Sequence, residues 1–367
     1  MFYPLGINLA FYTLTVLNAC LSIPLQAIFN LITVSNLLLL SSFVIGAYGA
    51  YLLTTDLLRT LSRNAGSPSS PDSLATSEQP AVASRTPPPH GDFRPLRGLG
   101  DVSAAFCAGL IYAFSSSKLF YAALGQFNIA SNQWIPYYIL MLIRMARRPQ
   151  RVRYAILAAL FLVLQGWAEM TYAAFLLVFT VLYLCASLDW PAIVARRFKP
   201  LARALLILAL IVAAGMAPLL AAMLPDMRAE GDFLVEGAGF ADVFSSDLIG
   251  FLLPTQHHPL FGDLVERFRF PHDKAQHYYA GYSVLALAGL GLLSARRRKE
   301  ARFWAVSALF FFLLTLGPTL RVNGHDTGVP MPFQIFQGLP FFKGNRYPSR
   351  WGVLLVLSLA TLAGLGW

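Results

Sequence analysis

Charge is scarce in this chain. Only 13% of its 367 residues are Asp, Glu, Lys or Arg and 56% are hydrophobic, whereas about a quarter of a soluble domain is charged. That shortage excludes an ordinary water-soluble globule and points to lipid as the surrounding solvent. Cysteine is nearly absent as well. Cys20, Cys107 and Cys185 are isolated and odd in number, so neither a disulfide framework nor a thiolate metal site is indicated. No positive charge precedes Arg59, so the front of the chain lacks the basic region of a signal peptide, and residues 1–32 are not read as a cleaved leader. A nucleotide-binding glycine loop, a Ser-His-Asp order, a Walker motif and an internal repeat of fixed period are all missing.

The charge that is present lies in tight groups. Of the 28 Lys and Arg residues, 19 fall in 59–97, 144–153, 196–203 and 296–302, between long apolar runs. Loops rich in Lys and Arg stay cytoplasmic, so the chain must cross an even number of times between any two of these groups. The net charge of +10 is thereby a positive-inside bias; no nucleic-acid partner is expected, because no RNA- or DNA-binding motif accompanies it.

A spanning helix needs about 20 apolar residues. Such stretches lie near 33–57, 102–117, 131–146, 204–224, 278–294, 303–320 and 350–367. Tyr154 to Leu188 is too long for one span and joins two cytoplasmic groups, so parity predicts two short helices turning near Gly166 to Thr171. The expectation is an all-α polytopic bundle of about nine spans in a lipid bilayer. Residues 1–61 hold a first outer loop and span, and 62–101, rich in Ser, Pro and Ala, read as a disordered cytoplasmic insert. A transmembrane bundle at 102–224, an outer acidic loop at 225–277, and spans within 278–367 interrupted by an outer loop at 321–349 complete the order. Ahead of the first span, Ala10, Leu14, Leu17 and Leu21 follow helical spacing among polar residues, which predicts an amphipathic helix on the outer face or a span ending near Pro24.

Chemistry is expected on the outer segments. Nine of the 18 acidic residues crowd into 225–277, among them Asp232, Asp242 and Asp247; a solvated loop face explains the same concentration. Lys343, Arg346 and Arg350 place three cations at the outer mouth of a span, against the positive-inside trend. Phosphate suits such a cluster, and snorkelling beside an aromatic belt is the alternative. The polar turn from Gly125 to Pro136 offers Gln126, Asn128 and Asn132 to sugar hydroxyls, unless Asn128 and Asn132 only cap the following helix. Glu169 is the sole acid between Asp101 and Asp189. An ionisable group beside a span is a functional candidate, although a carboxylate in a turn at headgroup depth costs little. His257, His258, His272, His277 and His325, with Asp263, Asp273 and Asp326, match no established ligand spacing, which leaves divalent-metal binding open.

Four stretches carry a likeness: Phe2-Tyr3-Pro4-Leu5-Gly6-Ile7-Asn8-Leu9, the Gly125 to Pro136 turn, Leu316-Gly317-Pro318 followed by Asn323-Gly324, and Leu339-Pro340 through Arg346-Tyr347-Pro348-Ser349-Arg350. Together they resemble bacterial multi-pass proteins of the GT-C glycosyltransferase superfamily, over most of the chain except the 62–101 insert. The resemblance implies an inner-membrane protein that takes a sugar from a polyprenyl-phosphate donor and transfers it at the extracytoplasmic face. It implies donor contacts at Lys343, Arg346 and Arg350, with Tyr3, Asn8, Gln126, Asn128 and Asn132 lining the substrate. Members carry their catalytic Asp or Glu in the first outer loop, where a carboxylate acts as general base or holds a metal. Here that loop, 1–32, has no acid, so Asp232, Asp242, Asp247 and Glu169 stand as substitutes and the chain reads as shortened at Met1 and at Trp367. Gln126 occupies a position where relatives often have His, and an amide accepts no proton at neutral pH. Two rival expectations remain. A transporter or flippase of lipid-linked saccharides makes the same phosphate contacts without breaking a bond, and a non-catalytic envelope assembly protein needs none of the outer acids.

Overall fold

The computed structural model describes residues 15–65, 98–187, 191, 198–229, 241, 243–254, 258–268, 278–338 and 347–367. Apolar runs rich in Leu, Ala, Val and Phe form its long helices, as the sequence pattern predicts. In chain order these are α1 (Val16–Gln26), α2 (Leu31–Ala65), α3 (Leu99–Ala113), the short α4 (Ser116–Ala123) and α5 (Phe127–Ala130), α6 (Ile135–Arg147), α7 (Val152–Ala168), α8 (Met170–Ser187), α9 (Phe198–Ala229), α10 (Tyr282–Ala295), α11 (Lys299–Thr315) and α12 (Gly352–Gly366). Among the described residues five segments are long and apolar enough to cross a membrane: Leu31–Ser62, Leu99–Ala123, Met170–Ser187, Phe198–Pro225 and Pro348–Gly366. Val152–Ala168 and Tyr282–Ala295 are apolar but shorter.

At the centre stands α12, whose residues from Gly352 to Gly364 are nearly all buried. It packs on α2, α3, α10 and α11. Contact with α10 is backbone to backbone: a Cβ added at Gly291 or Gly366 would overlap the Leu362 or Leu287 carbonyl. Such close approach is how helices associate when lipid removes the hydrophobic drive between them. By contrast α9 leans on α7, with Trp167 Nε1 donating to the Gly215 carbonyl at 2.9 Å, and exposes Leu206 and Leu210.

Polar groups gather at two opposite ends of the bundle. Asp56 on α2 receives Arg144 Nε at 2.8 Å and Arg147 Nη1 at 3.1 Å from α6, and Thr60 takes a further Arg147 bond at 2.8 Å. Tyr183 of α8 and Glu300 of α11 lie at the same node. The 144–153 group and the start of α11, within the 296–302 group, therefore meet at one end. The other end holds the turns between α3 and α6 and between α7 and α8. From Ser42 to Asp56 the rise along α2 is about 21 Å at 1.5 Å per residue, which sets the separation of the two ends.

The described structure departs from an all-α expectation at one place. Helix α11 stops at Thr315, Gly317 takes φ 79°, and the chain enters an antiparallel hairpin, β1 (Thr319–Val322) and β2 (His325–Pro330). Asn323 and Gly324 form its turn with φ 51° and 79°, the left-handed pair that a two-residue turn between twisted strands needs. Buried Asp247 holds that turn. Its Oδ1 accepts from Asn323 N at 3.1 Å and Ile249 N at 2.9 Å, and its Oδ2 from Gly324 N at 2.8 Å. On the exposed strand, Gly328 N–H and the Thr319 hydroxyl hold the Asp326 carboxyl below the usual carboxylate range. Replacing Asp247 by Ala strands three backbone N–H groups, and we expect a loss on the order of 3 kcal/mol. A fall in melting temperature in detergent, smaller for Asp247→Asn, checks this; equal melting of Asp247→Ala and the parent would reject the clamp.

Candidate functional site

The end opposite the basic node is built from breaks between helices. After α3 the chain turns at Phe114 and Ser115 into α4, and Gly125, at φ 70°, turns it again into α5. Helix α6 then starts with Pro136 in its first turn and no side-chain cap. Asn128 and Asn132 are thereby free of the capping role that the sequence allowed them. Asn128 is buried and its Nδ2 donates to Glu169 Oε2 at 2.8 Å. Asn132 Oδ1 accepts from Lys118 Nζ at 3.0 Å. Neighbouring groups fix the same turn: Asn18 Nδ2 of α1 donates to Ser131 Oγ at 2.7 Å, and Gln165 Nε2 to the Ser131 carbonyl at 2.9 Å. Gln126 sits exposed on the turn.

Glu169 is the single residue between α7 and α8, in extended conformation at φ −158° and ψ 107°. The predicted break near 166–171 falls there. Its Oε1 also accepts from Thr171 N at 3.3 Å, so both oxygens are oriented toward known donors while the residue stays partly open. Next to it, Tyr172 lies within electrostatic reach of Glu169, Arg350, Tyr121 and Tyr278, which gathers α4, α8, the start of α10 and the entry to α12 around one point.

Arg350 belongs to a short 3-10 turn, Pro348–Trp351, that feeds α12. Trp351 anchors that turn by stacking on Phe175 at 3.6 Å between ring centroids. The guanidinium lies 3.9 Å from the Tyr347 ring centroid, and Tyr347 packs on Phe244 at 4.1 Å. Arg350 and Ser349 approach Tyr121. Arg350 Nε, Ser349 Oγ and Tyr121 Oη are buried atoms that none of the described residues meets in good hydrogen-bond geometry. Tyr121 Oη lies within bonding reach of Ser349 and Arg350, so the three groups form one buried polar cluster whose hydroxyl hydrogens and guanidinium can turn toward oxygens of a ligand.

Beside them a narrow cleft, with enclosed room for about one water molecule, is lined by Tyr112, Tyr121, Tyr172, Tyr278, Ser117 and Lys118 among others. Lys118 and Asp56 are the polar residues that sequence reasoning passed over. For Lys118 a signal existed, since it is the only Lys or Arg between Arg97 and Arg144.

The remaining expected site residues divide cleanly. Asp247 is occupied by the hairpin turn. Tyr3, Asn8, Asp232, Asp242, Lys343 and Arg346 lie outside the described residues, as do His257, His272, His277 and Asp273. Among the described residues no three His, Cys, Asp or Glu side chains come together as metal ligands. His258 Nδ1 accepts from Leu260 N at 3.2 Å, and His325 is exposed on β2. Comparison of the chain with protein-family models, with characterised proteins and with solved structures gave no match.

Proposed function

We propose that this chain is a multi-pass inner-membrane protein of the GT-C type, crossing about nine times with its basic node on the cytoplasmic side. The cleft end then faces outward, where it takes a sugar from a polyprenyl-phosphate donor. One observation carries this reading: a buried polar cluster of Arg350, Ser349 and Tyr121 lies beside Tyr172, which is also within electrostatic reach of the oriented Glu169 carboxylate. An oxyanion fits the donors, and the guanidinium fork matches phosphate oxygens. Lys343 and Arg346, a few residues before Arg350 in the sequence, are assigned to the same phosphate by the charge pattern alone. Glu169 serves as general base toward the acceptor hydroxyl, and Asn128 positions it.

The test uses the full chain in lipid nanodiscs with a polyprenyl phosphate carrying a radiolabelled hexose. Arg350→Gln removes a charge-assisted bond of about 1.5–3 kcal/mol, so donor affinity should fall at least tenfold. Unaltered affinity removes the phosphate assignment. Movement of the labelled lipid between leaflets with no release of sugar replaces the transferase reading by a flippase.

A further inference from the structure

Helix α10 has 14 residues, which reach about 21 Å at 1.5 Å per residue, against a hydrocarbon core of about 30 Å. Arg296, Arg297, Arg298 and Lys299 follow it directly and hold its inner end at headgroup depth. The shortfall therefore falls at the outer end, beside Tyr282. Whatever packs there must offer lipid an apolar surface.

The chain from Ile249 to Phe268 packs there. Tyr282 Oη donates to the Leu252 carbonyl at 2.7 Å, and the next residue, Leu253, packs on fully buried Val265 with Ile249 and Phe268 against them. Val265 ends a short helix, Gly262–Val265, prolonged on both sides by turns: Gly262 N donates to the His258 carbonyl at 2.9 Å and Phe268 N to the Val265 carbonyl at 3.0 Å. Its outward side chains are large and apolar, with Leu260, Phe261 and Leu264 exposed by 81%, 38% and 45%. With 3.6 residues per turn these three share a sector of about 100°, and the exposed Asp263, Glu266 and Arg267 share another. Apolar side chains turned out together on one side of a polar-backed helical turn mark an interaction surface. Along α10 the exposed Tyr282, Leu290 and Leu293 run on one side, so a lipid-facing stripe leads up to Leu252 and this segment.

We propose that residues 259–268 form a foot resting in the outer leaflet beside α10, with Leu260, Phe261 and Leu264 among the acyl chains and Asp263, Glu266 and Arg267 at the headgroups. The partner is the lipid surface itself. The assignment rests on the bilayer reading of the chain and is indifferent to sugar transfer.

The test places nitroxide labels on Leu260→Cys, Leu264→Cys, Asp263→Cys and Leu290→Cys in the full chain carrying Cys20→Ser, Cys107→Ser and Cys185→Ser, reconstituted in phosphatidylcholine vesicles. Collision rates with oxygen, which enters lipid, and with a nickel chelate, which stays in water, report depth. Labels at 260 and 264 should lie about 5–10 Å below the phosphates, and the label at 263 should be shallower than both. Labels at 260 and 264 no deeper than the one at 263, or shielded from both reagents and so covered by protein, overturn the foot. A deep label at 290 with shallow ones at 260 and 264 removes the foot alone; a label at 290 in water removes the span and the foot together. Hydroxyl-radical footprinting of the unaltered chain in the same vesicles decides the matter even where a labelled variant does not fold. Phe261 and Leu264 protected as well as Leu293 uphold the foot, and oxidation of both as fast as in detergent-free water-exposed peptide overturns it.

Discussion

Glu169→Gln should lower kcat for sugar transfer by roughly 10²- to 10⁴-fold, the usual contribution of a positioned general base, with donor KM little changed. The substitution is close to silent for the fold. Asn128 Nδ2 donates to Oε2 at 2.8 Å and Thr171 N reaches Oε1 at 3.3 Å, and a glutamine carbonyl oxygen still accepts one of these bonds. What it loses is the capacity to take a proton from an acceptor hydroxyl. Asn128→Leu acts one step back, on the orientation of the carboxylate, and should cost less than Glu169→Gln while shifting the pH profile of kcat. Initial rates with a polyprenyl-phosphate sugar, beside melting curves for both variants, read these effects. A Glu169→Gln enzyme within threefold of the parent would sink the role. Full loss on Asp232→Asn or Asp242→Asn, with Glu169→Gln active, would move the base to the acidic segment.

The sequence was most legible where one solvent acts on every residue alike. Apolar length located the helices, and clustered arginines located one end of the bundle, because lipid penalises polar backbone and charge regardless of which helix is the neighbour. The break between α7 and α8 at Glu169 followed from parity alone. Pairing was illegible. Nothing in the spacing of Asp56 announces Arg144 and Arg147 as its partners, since apolar spans carry little record of what they touch. Lys118 stands alone in its stretch of sequence, and only the packing of Ser42, Phe43 and Asn132 around it reveals a buried amine. The hairpin carried the strongest local turn signal, Asn323-Gly324, but its flanks lack the alternation that marks a strand. Its register depends on Asp247, remote in sequence. Asn128 and Asn132 show the converse case: local preference allowed a cap, and two distant polar groups took the side chains instead.

Asp56→Asn should be the most destabilising single change at the end away from the cleft. Asp56 Oδ1 takes both Nε and Nη2 of Arg144 at 2.8 Å, a forked contact, while Oδ2 takes Arg147 Nη1 at 3.1 Å. Removing one partner of a buried pair costs about 3–5 kcal/mol, because a charge stays behind without compensation. The three side chains here are 19%, 18% and 31% exposed, so water and lipid headgroups screen part of that and about 2–3 kcal/mol is expected. Two guanidiniums left side by side on α6 against α2 should loosen the contacts with Tyr183 and Glu300 as well. A lowered melting temperature in detergent, partly recovered by Asp56→Asn combined with Arg144→Leu, identifies the uncompensated cation as the cause. Unchanged melting of Asp56→Asn would show the pair to be energetically neutral. Since the node stands about 20 Å from the cleft along α2, the variant at temperatures where it remains folded should retain parental donor affinity. Loss of affinity in a folded Asp56→Asn protein would instead mean that the two ends are coupled through α6 and α8, the helices that connect Asn132 to Arg147 and Glu169 to Tyr183.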